Sequence, residues 1–132
     1  MIEFGWDTIR LFLHVVAATI WVGGQITLAA LVPALRSMPD VPKRAAQQFN
    51  KIAWPAFGVL ILTGIWNIIA ERHKNHGSYA AVFGIKMVVV LISGVTAYLH
   101  GRATTRKGLA IFGSLTGISA LAALFLGILL AD

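Results

Sequence analysis

Four stretches of this chain are long enough to cross a bilayer as helices and are almost free of charge. A helix needs roughly 20 apolar residues to span the hydrocarbon core. The uncharged stretches lie at 11–35, 52–70, 77–101 and 108–131, and the third is interrupted by one lysine, Lys86. We therefore expect transmembrane helices over about 9–35, 50–70, 80–100 and 108–131. The predicted fold class is all-α, an integral membrane four-helix bundle.

The composition supports the same class. Of the 132 residues, 58% are hydrophobic and 12% are charged, whereas about 25% of the residues in a soluble domain are charged. Four spans use nearly the whole chain, so we predict a single domain over residues 1–132. The sequence contains no cysteine, which excludes a disulfide framework and a thiolate metal site.

The charge distribution favours a lipid bilayer rather than nucleic acid as the partner. The net charge is +6, but the basic residues cluster at the ends of the spans and form no contiguous face. Seven Lys and Arg residues fall in the first and third connections, and three fall on the other side. The positive-inside rule then predicts an outward N-terminus, with these two connections in the cytoplasm.

Capping residues refine the predicted helix ends. Asp7 suits the N-terminal cap of the first helix, beside Trp6 at the outer interface. Asp40 and Pro42 suit a helix start, so we expect the second helix to begin in the cytoplasm near Pro42.

Polar residues of the first and third predicted helices recur at helical spacing. The stripe on the first helix consists of His14, Ala18, Trp21 and Gln25. The stripe on the third helix consists of Lys86, Val90, Ser93, Ala97 and His100. Lipid cannot satisfy an imidazole, an amide or an ammonium group, so both stripes should face other helices.

Depth places several of these side chains in one layer. At about 1.5 Å per residue, His14 lies about 9 Å and Lys86 about 8 Å below the predicted outer surface. Trp66 and Asn67, near the end of the second helix, fall in the same layer. We therefore predict an outer-leaflet binding pocket formed by these four residues. His100 lies roughly 20 Å from Lys86 along the axis, so it cannot share one metal ion with His14.

The two ionisable residues of this pocket each have a functional and a structural interpretation. An ionisable side chain at membrane depth generally marks a functional site. His14 can bind copper, serve as the axial ligand of a haem, or handle protons, or it can be hydrogen-bonded inside the bundle. Lys86 can pair with an anionic ligand such as a haem propionate, or it can extend to the outer headgroups.

Two pairs of glycines allow close approach to a helix. Gly23 and Gly24 follow Trp21 and can admit either a flat prosthetic group or a neighbouring helix. Gly113 and Gly117 of the fourth helix have a GxxxG spacing. That spacing predicts packing support, or association with a second copy or a larger membrane complex.

Three further histidines are secondary candidates for metal binding. His73 and His76 form an i, i+3 pair that can bind Cu(II) or Zn(II). Arg72 and Lys74 would repel a cation there, so an ordinary polar loop is the alternative. For His100 the alternative to metal binding is an interfacial anchor.

The residues around His14 and Lys86 resemble a known family. The run from Leu13 to Gly24, with its His–Trp–Gly–Gly pattern, resembles the opening helix of the copper resistance protein D (CopD) family. The run Ala-Val-Phe-Gly-Ile-Lys86 resembles a later helix of that family. The resemblance covers nearly the whole chain. It implies a multi-pass protein of the bacterial inner membrane that acts in copper transport or resistance.

The same two blocks also resemble the HemJ-type protoporphyrinogen oxidases, four-helix membrane proteins associated with haem b. This second resemblance implies that His14 is an axial ligand and that Lys86 lies near a propionate or the substrate's carboxylates. Such an oxidase would need haem or an electron-accepting partner. A non-catalytic scaffold subunit is the third alternative. The sequence leaves open the choice between copper and haem, and also whether the protein is an enzyme.

Overall fold

A computed structural model describes residues 5–70 and 77–131 of the chain. These residues form helices joined by short turns, and they include no β-strand. Four segments in this part of the chain are long and apolar enough to cross a membrane: Trp6–Leu35, Val41–Ala70, Gly77–Arg102 and Arg106–Leu130. The predicted all-α class with four membrane-spanning lengths is confirmed.

The helices form two compact units, each of them a helical hairpin. The elements of the first unit are α1 (Trp6–Ala18), a π-helical turn (Thr19–Gly23), α2 (Gly24–Leu35) and α3 (Val41–Ala70). The elements of the second unit are α4 (Gly77–Arg102) and α5 (Arg106–Ala131). The π-helical turn joins α1 and α2 into one continuous rod. Because short turns connect α2 to α3 and α4 to α5, each unit folds back on itself. A single domain built from both units stays a prediction.

The first helix begins one residue earlier than its predicted cap. α1 starts at Trp6, and the preceding Gly5 has the extended backbone of an N-cap residue. The Gly5 amide donates a hydrogen bond of 3.5 Å to Thr8 Oγ1. The prediction of Asp7 as the cap is wrong, because Asp7 already lies in the first helical turn. Its carboxylate there still interacts favourably with the positive end of the helix dipole.

The start of α3 agrees with the prediction. Its first residue is Val41, one position before Pro42. Asp40 has a positive φ of 65°, a conformation that aspartate adopts more readily than most residues. The Asp40 carbonyl accepts a hydrogen bond from the Arg44 amide at 3.0 Å. The chain therefore reverses sharply at Asp40 and enters a helix well before its apolar segment.

Two buried hydroxyl side chains join α4 to α5. Ser93 Oγ donates to the carbonyl of Thr116 at 3.1 Å, and Thr116 Oγ1 donates to the carbonyl of Ser93 at 2.7 Å. Both hydroxyls are thus satisfied between the helices, which hydrocarbon cannot do. This reciprocal pair fixes the register of the second hairpin.

Candidate functional site

The first hairpin joins His14 of α1 to Thr63 of α3. His14 Nδ1 and Thr63 Oγ1 lie 2.7 Å apart. Thr63 is buried, with 4% of its surface exposed, and His14 is half-buried. The stripe predicted on the first helix therefore faces another helix at His14, as expected.

The Thr63 hydroxyl also determines which nitrogen of His14 holds the proton. Thr63 Oγ1 donates its one hydrogen to the carbonyl of Val59 at 2.7 Å. The oxygen is therefore an acceptor toward the ring, and His14 Nδ1–H donates to it. In the neutral imidazole the electron pair then resides on Nε2, the nitrogen that can coordinate a metal ion.

Arg10 is a buried cation one helical turn from His14. Only 3% of Arg10 is exposed, and its Nη1 lies 3.1 Å from Asp7 Oδ1. Arg10 is one of the three basic residues on the predicted outer side, and its burial was not predicted. Extending the stripe backwards from His14 by four and seven residues would have found Arg10 and Asp7 on the same face.

Two tryptophans pack together at the N-terminal end of α1. The ring centroids of Trp6 and Trp66 are 6.5 Å apart, with their planes inclined by 52°. Trp66 and Asn67 follow Thr63 by three and four residues, so all three belong to one face of α3. The structure thus brings the predicted site residues His14 and Trp66 to the same α1–α3 interface. A ligand-binding role for Trp66 and Asn67 stays a prediction.

An aromatic cluster lies further along the same interface. The Trp21 centroid is 4.6 Å from that of Phe57 and 5.3 Å from that of Trp54. Trp21 is 4% exposed. The stripe predicted on the first helix therefore contacts α3 at Trp21 as well as at His14.

Trp21 belongs to the π-helical turn, which the sequence did not predict. Such turns are rare inside α-helices and occur often at functional sites. Thr19 Oγ1 donates to the carbonyl of Val15 at 2.7 Å, and Thr27 Oγ1 donates to the carbonyl of Gly23 at 2.8 Å. Hydroxyl groups thus satisfy carbonyls on both sides of the turn, which lipid cannot do.

The two glycines after Trp21 have different surroundings. A Cβ atom added at Gly24 would overlap the Phe49 ring of α3, whereas one added at Gly23 would meet no atom within 4 Å in the described part of the chain. Gly24 therefore serves helix packing, one of the two predicted alternatives. A flat group lying against Gly23 stays a prediction.

Gln25, the last residue of the stripe, has a buried amide. Within the described residues, its Oε1 and Nε2 atoms are buried and make no hydrogen bond. An unsatisfied buried amide is costly. Gln25 is therefore a source of instability in the first hairpin.

In the second hairpin, Lys86 extends along α5. A Cβ atom at Gly127 would lie 3.2 Å from Lys86 Nζ, so this glycine provides the space for the ammonium group. At the other end of the stripe, a Cβ at Gly113 would lie 3.0 Å from His100 Cε1. With Ser93 between them, three of the five stripe residues contact α5, in agreement with the predicted inward face. A pocket shared by Lys86 and His14 stays a prediction.

His100 closes the end of the second hairpin. Its Nδ1 donates a hydrogen bond of 2.9 Å to the carbonyl of Leu109, while its ring lies against Gly113. This geometry suits an anchor between α4 and α5. Association through Gly113 and Gly117 stays a prediction, and a Cβ at Gly117 would meet no atom of the described residues within 4 Å.

The described residues contain no group of three His, Cys, Asp or Glu side chains arranged to hold a metal ion. The secondary candidates His73 and His76 lie outside the described residues. Metal binding by His14 stays a prediction, and its Nδ1 is hydrogen-bonded to Thr63.

The fold and these contacts define a multi-pass α-helical membrane protein with a histidine-centred polar interface. The chain is 36% identical to an uncharacterized protein of Aquifex aeolicus (strain VF5), over 63% of this chain and 62% of that protein. It is 30% identical to the copper transport protein CutJ of Bacillus subtilis (strain 168), over 75% of this chain and 20% of CutJ. The chain thus spans about three fifths of the first relative and one fifth of the second. No protein-family model and no solved structure matches it significantly.

Proposed function

We propose that this protein acts in copper transport or resistance, with a copper ion as its cargo and His14 as the residue that contacts the ion. The observation that carries the proposal is the 30% identity to CutJ, a copper transport protein. The resemblance of the His14 and Lys86 blocks to the CopD family points to the same role. We also propose that the protein lies in a bacterial cytoplasmic membrane, as the CopD resemblance implies.

The chemistry of His14 supports this assignment. Imidazole nitrogen is a good ligand for copper. A ligating histidine usually donates its other ring N–H to an outer partner, which orients the ring and raises its basicity. Thr63 is that partner here, at 2.7 Å from Nδ1. Nε2 is then the nitrogen that would meet the ion.

The ion pair between Arg10 and Asp7 lies one helical turn from His14. The guanidinium of Arg10 would by itself oppose a copper ion one turn away. The Asp7 carboxylate, 3.1 Å from Arg10 Nη1, offsets part of that charge. The pairing with Asp7 reduces the repulsion between Arg10 and an ion at the imidazole.

Two further predicted residues belong to the proposed copper site of the first hairpin. Trp66 and Asn67 continue the Thr63 face of α3 and would line the approach to His14. Lys86 is proposed as a functional group of the second hairpin. An ionisable side chain at membrane depth costs free energy and generally marks a functional site.

The direct test is copper binding by the purified protein. Wild type, His14→Ala and His100→Ala would be purified in mild detergent, loaded with Cu(I) and analysed for bound copper after gel filtration. We expect wild type and His100→Ala to retain copper and His14→Ala to lose it. Equal retention by all three proteins would contradict the role of His14.

The same samples test the haem alternative that the HemJ-type resemblance predicts. Their visible spectra would be recorded oxidised and then dithionite-reduced. A Soret band that shifts on reduction and disappears in His14→Ala would replace the copper proposal with a haem-b protein. Copper bound through His14 without a Soret band supports the copper proposal.

A further inference from the structure

A charged groove follows the first three turns of α3, before the apolar part of that helix begins. Its volume is about 390 Å³. The residues that line it are Val41, Arg44, Ala45, Gln47, Gln48 and Lys51. Two cations, two amides and two small apolar side chains therefore share one open cleft.

The groove lies where the headgroups of a bilayer would be. Lys51 directly precedes the charge-free stretch that begins at Ile52, so it marks the edge of the hydrocarbon. Arg44 lies seven residues earlier, about 10 Å further along the axis. The polar layer of each leaflet is about 5–8 Å thick, the difference between the full bilayer and its core. The two cations thus span that layer.

The charge of this segment is strongly one-sided. Between Arg36 and Lys51 the basic residues outnumber the single acid, Asp40. Asp40 precedes α3 and does not line the groove. An anion entering the groove therefore meets Arg44 and Lys51 without a lining carboxylate.

We propose that this groove is a binding site for the headgroup of an anionic phospholipid. Arg44 forms paired hydrogen bonds with phosphate oxygens, and Lys51 supplies a second positive charge near the glycerol backbone. Gln47 and Gln48 offer amide donors and acceptors to the headgroup hydroxyls. The acyl chains continue beside the apolar part of α3. This site is independent of copper handling.

Native mass spectrometry of the full chain tests the proposal. Protein in mild detergent would be titrated with phosphatidylglycerol or with phosphatidylcholine of the same acyl chains. We expect retention of phosphatidylglycerol over phosphatidylcholine in the wild type. Arg44→Gln combined with Lys51→Gln should weaken phosphatidylglycerol binding roughly thirtyfold, because two charge-assisted contacts to the headgroup phosphate are lost.

The matched control removes the same charge outside the groove. Arg36 and Lys43 are exposed and do not line it, so Arg36→Gln with Lys43→Gln should leave lipid retention within about twofold of wild type. Arg44→Lys keeps the charge but loses the paired hydrogen bonds, so it should bind less tightly than wild type and more tightly than the double Gln variant. Circular dichroism would verify that each variant keeps its helices.

Three results would overturn the proposal. Equal retention of both lipids would remove the preference for an anionic headgroup. Equal losses of lipid binding in the two double variants would show that binding depends on overall positive charge and not on the groove. Displacement of the lipid by millimolar inorganic phosphate would make the groove a site for free phosphate rather than for a lipid.

Discussion

His14 Nδ1 and Thr63 Oγ1 are joined by a 2.7 Å hydrogen bond between α1 and α3. The bond does two things at once, because it holds the helices in register and it selects the tautomer of the imidazole. Thr63 Oγ1 can accept a hydrogen bond from His14 because it donates its own hydrogen to the carbonyl of Val59. Thr63 thus orients the imidazole of His14 within the first hairpin.

Thr63→Val removes the acceptor while keeping the shape of the side chain. We expect copper affinity to fall about 10- to 100-fold, the usual effect of losing an outer hydrogen-bond partner of a ligating histidine. Thr63→Ser keeps the hydroxyl and should bind copper nearly as wild type does. Competition with a coloured Cu(I) chelator measures both. Unchanged affinity in Thr63→Val would remove Thr63 from the site.

Gly24→Ala should destabilise the first hairpin, because the added Cβ would overlap the Phe49 ring. Gly23→Ala is the matched control, since its Cβ would meet no described atom within 4 Å. Alanine is favoured over glycine in a helix by about 1 kcal/mol, so Gly23→Ala should be neutral or stabilising. Unfolding in mixed detergent micelles compares the two. Phe49→Leu should restore part of the stability lost in Gly24→Ala. An equal loss of stability in Gly23→Ala and Gly24→Ala would contradict a packing role for Gly24.

Gln25→Leu should stabilise the first hairpin. The substitution removes a buried amide that has no hydrogen-bond partner in the described residues. The expected gain is about 1–3 kcal/mol, the cost of an unsatisfied buried polar group. The same micelle unfolding experiment measures it. A clear loss of stability would mean that the amide makes a needed hydrogen bond, for example to an internal water.

The Ser93–Thr116 pair should couple α4 to α5. Single and double alanine variants form a double-mutant cycle, for which we expect a coupling of about 0.6 kcal/mol and at most about 1.7. Ser114 of α5 is exposed, so Ser114→Ala is the control and should change little. Additive effects of Ser93→Ala and Thr116→Ala would contradict an energetic link between them.

The fold could be predicted because its main determinants are local. Span lengths and charge-free composition specify the helices, and Asp40 with Pro42 marks the start of α3. The stripes on α1 and α4 were also predictable, because residues that pack on one face of a helix recur every three or four positions. The spacing from Lys86 to His100 matches that from Gly127 to Gly113 on the antiparallel partner.

Three features could not be predicted because they depend on contacts with residues of another helix. The partner of Gly24 is Phe49, 25 positions along the chain, and no local signal identifies it. The π-helical turn around Trp21 has no local sequence signal, and Trp21 packs there against Phe57. The burial of Arg10 could not be predicted either. An arginine near the end of a membrane helix often extends its charged group to the headgroups instead.

Copper flux into proteoliposomes tests the central proposal most directly. The protein would be reconstituted with a Cu(I)-sensitive dye trapped inside, and the dye signal followed after copper is added outside under reducing conditions. We predict uptake well above that of protein-free liposomes for wild type and for His100→Ala, and uptake at the protein-free level for His14→Ala. Uptake by His14→Ala equal to wild type, or no uptake by any of the proteins, would contradict the account.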